Sequence, residues 1–478
     1  MSIVIEDNHN RIFNSKKSLN VIKAVAGSGK TTTMLEMARR NPSKKYIYIS
    51  YNRATANEIK GKAPSNVFSY TFHSIAARKY LNDYKDKYTK KINVKDVLDL
   101  FGLKISKENV LLARAIIERI NFFQNSSFKD INDVQIKYEN VDNDTLKMYS
   151  SIFWDSMIDK ESSVPIFDDT YLKLFHLNED TIDGLNIIFD EAQDASDVMV
   201  EILKNQLLKE KNLYVVGDEN QSIYGFRYAN NAMSQFESMY VDKEVHVLDK
   251  TYRFGSEIAR AANSIIELKG KQNFVRVVGS ADRKDILVKK ISNSQKMAII
   301  SRKNETLLDI SIKASDIGKS MFFVGGFDSY DMSRLIDLEH FYFSRKRNVK
   351  SIDILDYGSF KELEKVSFLS QDYSMMKLIS IVKSYAGKIE SKIEQIKSKI
   401  VPIEYADIVL TNAHKSKGLE FDNVFLCNDF KCFFDKNGNL LKSGENFNEE
   451  LNLLYVAATR AKKRLRVNTS LEQILNKK

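Results

Sequence analysis

Short apolar runs recur along the chain, separated by longer stretches that have helical spacing. Most of the runs are almost continuously apolar, which is typical of strands buried on both faces of a parallel sheet. Because helical stretches separate them, the pattern predicts an α/β fold. The predicted strands include residues 46–50, 67–72, 185–189, 213–216, 245–248, 297–301, 321–324, 407–410, 423–426 and 464–467.

Two long stretches contain little strand signal. Residues 80–180 and 330–405 are more polar and have helical spacing, so we expect them to be helical insertions. Pro402 follows the charged segment KIESKIEQIKSKI and should stop that helix before the sheet resumes. The chain shows no repeat of fixed period and no linker rich in Gly, Ser or Pro.

Length and charge narrow the class of protein only slightly. At about 100–200 residues per domain, 478 residues allow a few compact units. The 73 basic and 63 acidic side chains give a net charge of +10, which favours a polyanionic partner. This evidence is weak, because abundant Lys, Ile and Asn beside only four prolines indicate a bias towards AT-rich codons, which raises the lysine content by itself.

The chain lacks the sequence signals of a membrane, secreted or zinc protein. It has no run of 18 apolar residues and does not begin like a secretory signal. We therefore expect a soluble intracellular protein, cytoplasmic if its source is prokaryotic or viral. Cys427, Cys432 and six scattered histidines do not have the spacing of a disulfide framework or a zinc site.

A glycine-rich loop follows the apolar segment LNVIKA and precedes the helix-forming segment TTTMLEMARR. In a strand, loop and helix of this kind, backbone N–H groups and the helix dipole bind a phosphate. Lys30 would reach the β- and γ-phosphates, and Thr31 would ligate Mg²⁺. Ala24 stands where the strict pattern has Gly. The predicted nucleotide-binding residues of the loop are Ala26, Gly27, Ser28, Gly29, Lys30, Thr31 and Thr32.

Two acidic residues, Asp190 and Glu191, directly follow the apolar segment LNIIF. A carboxylate at the carboxyl end of a strand lies where open α/β sheets bind their ligands. We therefore expect Asp190 to hold Mg²⁺ through water and Glu191 to polarise the attacking water. Together with the phosphate loop, this pair predicts hydrolysis of a nucleoside triphosphate.

Further motifs follow one another along the chain: YNRA (51–54), TFHS (71–74), DEAQD (190–194), GDENQSIYGFR (217–227), TYR (251–253), TNAHKSKGLEF (411–421) and LLYVAATRAKKRL (453–465). In this order they resemble the motifs of the UvrD/Rep branch of superfamily 1 DNA helicases. Within that branch, the segments YNRATANEIK, HKSKGLEFD and NLLYVAATRAKKRL most resemble the F-box DNA helicase type. We expect no F-box before the core, because the phosphate loop already begins at residue 24.

The resemblance implies roles for five residues around the nucleotide. Gln221 would sense the γ-phosphate, and Arg253 and Arg460 would act as arginine fingers. Tyr252 resembles the tyrosine that stacks on adenine, and Glu420 would contact the ribose.

Two positions depart from the family pattern. The glutamine that normally reads adenine has no clear match near residues 8–10, and Thr32 stands where many relatives carry Arg. Adenine selectivity is therefore a weaker expectation than hydrolysis itself.

The helical spacing around Arg460 predicts where its side chain lies. In a helix through LNLLYVAATRAKKRL, the residues Leu451, Leu454, Tyr455 and Ala458 form an i, i+3, i+4, i+7 stripe. Arg460 falls on the opposite face, so we expect it outside the core, where it can stabilise transition-state charge.

The resemblance also implies contacts with the DNA strand. Phe226 would be a base-stacking platform beside the cation Arg227, and stacking of this kind tolerates any base sequence. The predicted DNA-binding residues are Asn52, Arg53, Thr71, Phe72, His73, Tyr224, Phe226, Arg227, His414 and Lys417.

These motifs imply two RecA-like parallel-sheet cores with ATP between them. We predict the first core at residues 1–80 and 170–245, interrupted by a helical insertion at 81–169. The second core is predicted at 246–327 and 401–478, interrupted by a reduced accessory insertion at 328–400.

The leading hypothesis is an ATP-dependent helicase or translocase that moves 3′ to 5′ on single-stranded DNA. It would use ATP and Mg²⁺, and it would unwind duplex DNA or displace bound proteins at single/double-strand junctions. We expect no membrane association, and we consider protein partners in a repair, recombination or defence assembly.

Two alternatives belong to other classes of protein. The first is an NTP-hydrolysing switch subunit of a larger repair or defence complex, without autonomous unwinding. The second is an inactive scaffold, which is opposed by the presence of Lys30, Asp190, Glu191, Gln221, Arg253 and Arg460.

Overall fold

The computed structural model describes residues 5–89, 92–225, 232–239, 241–270, 274–292, 295–330, 332–370, 372–435, 437–441 and 447–477. The chain divides into two compact units, Met1–Asp249 and Lys250–Lys478. Each unit contains a six-stranded sheet whose paired strands are all parallel. The predicted α/β class with two parallel-sheet cores is therefore confirmed. Exact segment boundaries within the units stay a prediction.

The first unit is built around a sheet that every motif strand of this unit joins. Its strands are β1 (Leu19–Ala24), β2 (Tyr46–Ser50), β3 (Val67–Thr71), β4 (Asn186–Phe189), β5 (Asn212–Gly217) and β6 (Lys243–Leu248). They lie side by side in the order β3-β2-β4-β5-β1-β6. Because all strands are parallel, the loops that follow them meet at one edge of the sheet.

The central strands of this sheet are buried on both faces. In β1, Leu19 and Val21 pack into one apolar cluster, whereas Ile22 and Ala24 pack into a second cluster on the other face. Successive side chains of a strand point to opposite faces, so a strand covered on both sides is apolar at most of its positions. This packing explains the continuous apolar runs in the sequence.

Helices cover both faces of the first sheet. Between β3 and β4 the described residues form five α-helices, and their apolar residues Tyr80, Ile116 and Phe175 join the same buried cluster as Val21. The helices of the unit are α1 (Asp7–Asn14), α2 (Lys30–Arg40), α3 (Arg53–Lys62), α4 (Phe72–Tyr84), α5 (Val94–Leu100), α6 (Lys107–Asn125), α7 (Asn143–Ile158), α8 (Asp168–Leu177), α9 (Asp197–Leu208) and α10 (Ala232–Ser238).

The second unit repeats this architecture with a different strand order. Its strands are β7 (Ile286–Val288), β8 (Met297–Ser301), β9 (Met321–Phe323), β10 (Ile408–Asn412), β11 (Phe421–Leu426) and β12 (Ala461–Arg466). They lie in the order β7-β12-β11-β8-β10-β9, so β7 and β9 form opposite edges.

The long helical stretch of the second unit lies between β9 and β10. Its residues Leu338, Leu363 and Ile393 share one buried cluster with Leu410 of β10. The helices of the unit are α11 (Ser256–Glu267), α12 (Asn304–Asp316), α13 (Met332–Tyr342), α14 (Ile352–Leu355), α15 (Phe360–Leu369), α16 (Tyr373–Ser384), α17 (Ile389–Lys397), α18 (Phe447–Ala458) and α19 (Thr469–Leu475). Across the described ranges, no helix combines the length and the apolar composition needed to cross a bilayer.

Candidate functional site

The phosphate loop joins β1 to the first turn of α2. Gly27 and Gly29 have φ angles of 76° and 79°, a left-handed conformation that glycine adopts without strain. Lys30 opens α2, and Thr33 donates from its backbone N–H and from Oγ1 to the carbonyl of Gly29 (2.8 and 3.0 Å). The loop therefore turns the N–H groups of the first helical turn towards the sheet edge, an arrangement that binds phosphate.

Asp190 lies where β4 ends, beside the phosphate loop. Its backbone N–H donates to the carbonyl of Ile49 at 3.0 Å, which extends the pairing of β4 with β2. Its Oδ2 accepts hydrogen bonds from Thr31 Oγ1 at 3.2 Å and from the buried Tyr48 hydroxyl at 2.6 Å. Oxygen atoms of Thr31 and Asp190 thus lie close together. This pair fits Mg²⁺, which prefers hard oxygen ligands.

Burial and the neighbouring Glu191 carboxylate raise the pKa of Asp190 above its ordinary value. The Lys30 ammonium and the Tyr48 hydroxyl act in the opposite direction by favouring the charged form. The pKa of Tyr48 is raised well above its usual value by burial and by Asp190, so Tyr48 keeps its proton as a donor. Tyr48 was not predicted as a site residue from the sequence, where it belongs to an ordinary strand run.

We expect the Tyr48→Phe substitution to move the acidic limb of the ATPase pH profile to higher pH. Without the Tyr48 hydroxyl, the Asp190 carboxylate loses a donor that favours its charged form, so its pKa rises further. Asp190 is the predicted Mg²⁺ ligand and a carboxylate binds Mg²⁺ in its charged form, so activity should disappear at a higher pH than in the wild type. Steady-state hydrolysis from pH 5 to 8 measures this shift; Tyr46→Phe on the same strand and face is the control, and superimposable profiles would disprove the effect.

Glu191 occupies a strained backbone position. Its φ of 56° is left-handed, which costs a non-glycine residue about 1–3 kcal/mol. This conformation places its carboxylate 3.6 Å from the Lys30 ammonium. Gln193 Nε2 donates to Glu191 Oε2, which holds the carboxylate from its other side. The strained backbone and these two contacts together fix the orientation of the Glu191 carboxylate, the predicted general base.

Gln193 connects the two acidic residues to the loop after β5. Its Oε1 accepts from the backbone N–H of Asp218 at 3.0 Å, and Asp218 Oδ2 accepts from Gln221 Nε2 at 2.7 Å. A Cβ at Gly217 would lie 2.6 Å from Gln193 Oε1, so only glycine permits this approach. Contacts therefore run from Lys30 through Glu191, Gln193 and Asp218 to Gln221. Gln193 and Asp218 lie in the DEAQD and GDENQSIYGFR motifs, but neither was predicted as a site residue from the sequence.

The second unit brings Arg253, Glu420 and the end of α18 together. Arg253 Nε donates to Glu420 Oε2 at 3.1 Å, and its Nη1 donates to the carbonyl of Thr459 at 3.0 Å. The carbonyl of Arg460 accepts from the N–H of Phe421 at 2.9 Å, where β11 and β12 begin. The Lys250 ammonium lies over the Tyr252 ring, 5.9 Å from the ring centroid.

The predicted position of Arg460 is wrong. α18 ends at Ala458, and its residues are buried all round from Glu450 to Ala458, so the helix has no solvated face. Arg460 is only 1% exposed. It donates from Nε to Val456 O (2.8 Å), from Nη1 to Leu419 O (3.2 Å) and from Nη2 to Thr459 Oγ1 (3.2 Å). The segment that the pattern extended as a helix turns into strand β12 directly after Arg460.

Two of the predicted DNA-contact residues cap helices at the same edge of the first sheet. Asn52 Oδ1 accepts from the N–H of Thr55 at 2.9 Å and caps α3, whose first residue, Arg53, is exposed. Thr71 Oγ1 accepts from the N–H of Ser74 at 3.1 Å and caps α4.

Phe72 and His73 are less available than predicted. Phe72 is 4% exposed and packs edge-to-face on Phe189 with ring centroids 5.1 Å apart, so it belongs to the core and is not a surface contact. His73 is half-buried, and its Nε2 lies 2.9 Å from Asp169 Oδ1 of α8. This contact joins the TFHS motif to the helical stretch between β3 and β4.

Tyr224 stacks on Tyr51 at the sheet edge, with ring centroids 5.3 Å apart and planes 13° from parallel. Phe226 and Arg227, the predicted stacking platform and its cation, lie outside the described residues. The stacked pair joins the loop after β5 to the loop after β2.

The HKSKG loop follows β10 and contains His414 and Lys417. The N–H of Lys417 donates to the carbonyl of His414 at 3.3 Å, and Gly418 closes the turn with a φ of 85°. Lys415 reaches away from this turn: its Nζ lies 3.5 Å from the Tyr330 ring centroid and donates to Ser329 Oγ at 2.8 Å.

Residues 8–10, where no adenine-reading glutamine was found, lie in α1. His9 is buried, and its Nδ1 accepts from the N–H of Glu6 at 3.1 Å in a capping box. At this position the side chain therefore stabilises the start of a helix.

Two family models match the chain: an AAA domain over residues 9–227 and a UvrD-like helicase C-terminal domain over residues 340–472. The chain is 28% identical to F-box DNA helicase protein 1 of Schizosaccharomyces pombe, over 95% of this chain and 56% of that protein. It is 28% identical to F-box DNA helicase 1 of Gallus gallus, over 95% and 48%. It is 25% identical to the ATP-dependent DNA helicase PcrA of Staphylococcus aureus, over 66% and 50%.

The chain thus spans about half the length of these relatives. The AAA-domain match covers the phosphate loop, the acidic pair and Gln221, and the UvrD-like match covers Glu420 and Arg460. In its two parallel-sheet units and in the order of these motifs, the chain is similar to the UvrD-like helicases of superfamily 1.

Proposed function

We propose that this chain hydrolyses ATP with Mg²⁺ and couples hydrolysis to 3′ to 5′ movement along single-stranded DNA. The supporting observation is the series of contacts from Lys30 through Glu191, Gln193 and Asp218 to Gln221. The series supports the proposal because it links Lys30, Glu191 and Gln221, which would bind phosphate, act as general base and sense the nucleotide, at one sheet edge. The same edge carries Arg53 and the Tyr51–Tyr224 pair, which are suited to a nucleic acid.

Each residue of the nucleotide site has a defined task in this proposal. Thr31 and Asp190 would hold Mg²⁺, which supplies positive charge that stabilises the phosphoryl group being transferred. Lys30 draws the β- and γ-phosphates to the start of α2. Glu191 orients the attacking water and accepts its proton, while Gln193 keeps that carboxylate in place.

Gln193 and Asp218 explain how the nucleotide state could reach the DNA-facing loop. When the γ-phosphate leaves, Glu191 and Gln221 lose the group between them, and Gln193 is bonded to both Glu191 and the loop that holds Gln221. Any shift of Glu191 is thus passed to the segment Gly217–Gln221 and onward to Tyr224. Arginine fingers from Arg253 and Arg460 would complete the transition state.

The decisive experiment compares ATP hydrolysis with and without a single-stranded oligonucleotide. We expect strong stimulation by the single strand, because hydrolysis and stepping are coupled in a motor. Duplexes with either a 3′ or a 5′ single-stranded tail then test polarity, and we expect separation or protein displacement only from the 3′ tail. Preference for the 5′ tail would refute the proposed polarity.

The same comparison tests the alternative of a switch subunit. The reduced helical stretch between β9 and β10 favours translocation or protein displacement over strong unwinding. A switch subunit would hydrolyse ATP at the same rate with and without naked single strands. Stimulation only by a protein partner would therefore support the switch and contradict the motor.

A further inference from the structure

An exposed basic loop follows α13 in the second unit, and no motif includes it. The basic loop comprises residues 342–350, YFSRKRNVK, which hold four Arg or Lys residues and no acidic residue. Residues 342–348 are all exposed. Its cations are Arg345, Lys346, Arg347 and Lys350. A cluster of one sign in so short a segment favours a polyanion as ligand.

The backbone of the basic loop is fastened at both ends. At its start, the N–H of Arg345 donates to His340 O (2.7 Å) and that of Ser344 donates to Phe341 O (3.0 Å), which closes α13. Ser344 has a φ of 60° at a position where glycine is usual. At its end, the N–H groups of Lys350 and Ser351 donate to the two carboxylate oxygens of Asp337 (3.2 and 2.9 Å). A loop ordered in advance loses little entropy on binding.

Two aromatic side chains at the start of the basic loop are partly exposed. Tyr342 is 38% exposed and Phe343 is 41% exposed, although apolar rings of this size are usually covered. Tyr342 is held edge-to-face by Phe360 at 5.0 Å and by Phe343 at 5.1 Å. The Arg345 guanidinium lies 5.2 Å from the Phe343 ring centroid. Exposed rings beside guanidinium groups are the pairing that binds unpaired bases and their phosphates.

We propose that the basic loop binds an unpaired stretch of DNA, with bases stacking on Phe343 and Tyr342 and phosphates contacting Arg345 and Arg347. A duplex could contact the cations through its phosphates, but its paired bases could not stack on the rings. The exposed aromatic side chains therefore favour a single strand. The choice of DNA rests on the proposed function, whereas binding at the basic loop requires no hydrolysis.

This contact is distinct from the motif loops of the second unit. α13 begins two residues after Tyr330, and the ammonium of Lys415 in the HKSKG loop lies over the Tyr330 ring. Its 11 residues then rise about 15 Å before the basic loop begins. The basic loop would thus be a second contact, joined to the HKSKG loop by one helix.

Fluorescence anisotropy with a labelled single strand and a matched duplex, without nucleotide, tests this proposal at 50–300 mM salt. Phe343→Ala should weaken single-strand binding about 5- to 150-fold with little change in salt dependence. Phe343→Leu keeps apolar packing but should also weaken binding. The double variant Arg345→Ala with Arg347→Ala should reduce the slope of log K against log salt by about 1.4, at about 0.7 for each phosphate contact.

The control removes two exposed cations at the opposite edge of the same sheet. Lys284→Ala with Lys290→Ala, which flank β7, should leave single-strand affinity and slope unchanged. Thermal melting confirms that each variant is folded. Wild-type binding in both loop variants would overturn the proposal, and so would loss of duplex binding in the Arg variant with no effect of Phe343→Ala.

The proposal and the proposed function can fail separately. If single strands stimulate hydrolysis while the loop variants bind like the wild type, the basic loop does not bind DNA and the proposed motor function is supported. If single strands do not stimulate hydrolysis while the loop variants lose affinity, the proposed motor function is refuted and DNA binding by the basic loop is supported.

Discussion

Replacing Glu191 with Gln should lower the rate of ATP hydrolysis by about 10²- to 10⁴-fold while ATP binding persists. The amide keeps the shape of the side chain and can still accept the hydrogen bond from Gln193. It cannot accept a proton from water, and it no longer offers a charge 3.6 Å from Lys30. The change therefore removes proton transfer while it leaves the phosphate loop intact.

Phosphate release in the presence of single-stranded DNA measures the rate, and equilibrium binding of a fluorescent ATP analogue measures affinity. Glu201→Gln is the matched control, because Glu201 is a partly exposed glutamate on α9 that forms an ion pair with Lys204 of the same helix. Lys30→Ala should instead lose both nucleotide affinity and hydrolysis. Hydrolysis near the wild-type rate in Glu191→Gln would show that another group accepts the proton.

The second large effect separates the two arginines of the second unit. Arg253→Ala should lower hydrolysis by about 10³- to 10⁵-fold, the range for an arginine finger, with little loss of stability. Its carboxylate partner Glu420 stays solvated without it, because Glu420 is exposed to water and lies near Lys462. We expect its melting temperature to stay within a few degrees of the wild type.

Arg460→Ala should reduce both activity and stability. The buried guanidinium donates to Val456 O and Leu419 O, and removing it leaves those carbonyls without this donor and opens a cavity beside α18. We expect the free energy of unfolding to fall by about 2–4 kcal/mol. Denaturant unfolding of the two variants, followed by hydrolysis assays on the folded fraction, measures both effects.

A different measurement tests the role assigned to each arginine. A melting temperature of Arg460→Ala equal to that of the wild type would show that the buried hydrogen bonds contribute nothing to the fold. Wild-type hydrolysis in a folded Arg253→Ala variant would remove Arg253 from the transition state. Arg460→Lys is the conservative variant, since lysine keeps the charge but lacks the fork that bonds to two carbonyls.

Several features of this protein follow from local sequence alone. A strand covered on both faces has no polar side, so the runs LNVIKA and YIYIS predict buried parallel strands. The glycines at 27 and 29 supply left-handed positions before a helix, and the acids at 190 and 191 follow a strand. Because parallel strands end at one edge, these patterns also predict that the phosphate loop and the acids lie together.

Tertiary structure decided which side chains complete the site. Tyr48 reaches Asp190 only because β2 pairs with β4 in a register that sets Tyr48 opposite Ile188, and Gln193 reaches Asp218 only because β4 lies beside β5. Strand order and register join Tyr48 to Asp190, 142 positions away, and Gln193 to Asp218, 25 positions away, and no local spacing encodes either contact. Arg460 was misplaced because helical periodicity tells which residues share a face, whereas burial depends on what packs against every face. Phe72 was assigned to the DNA by resemblance alone, and its contact with Phe189 buries it in the core.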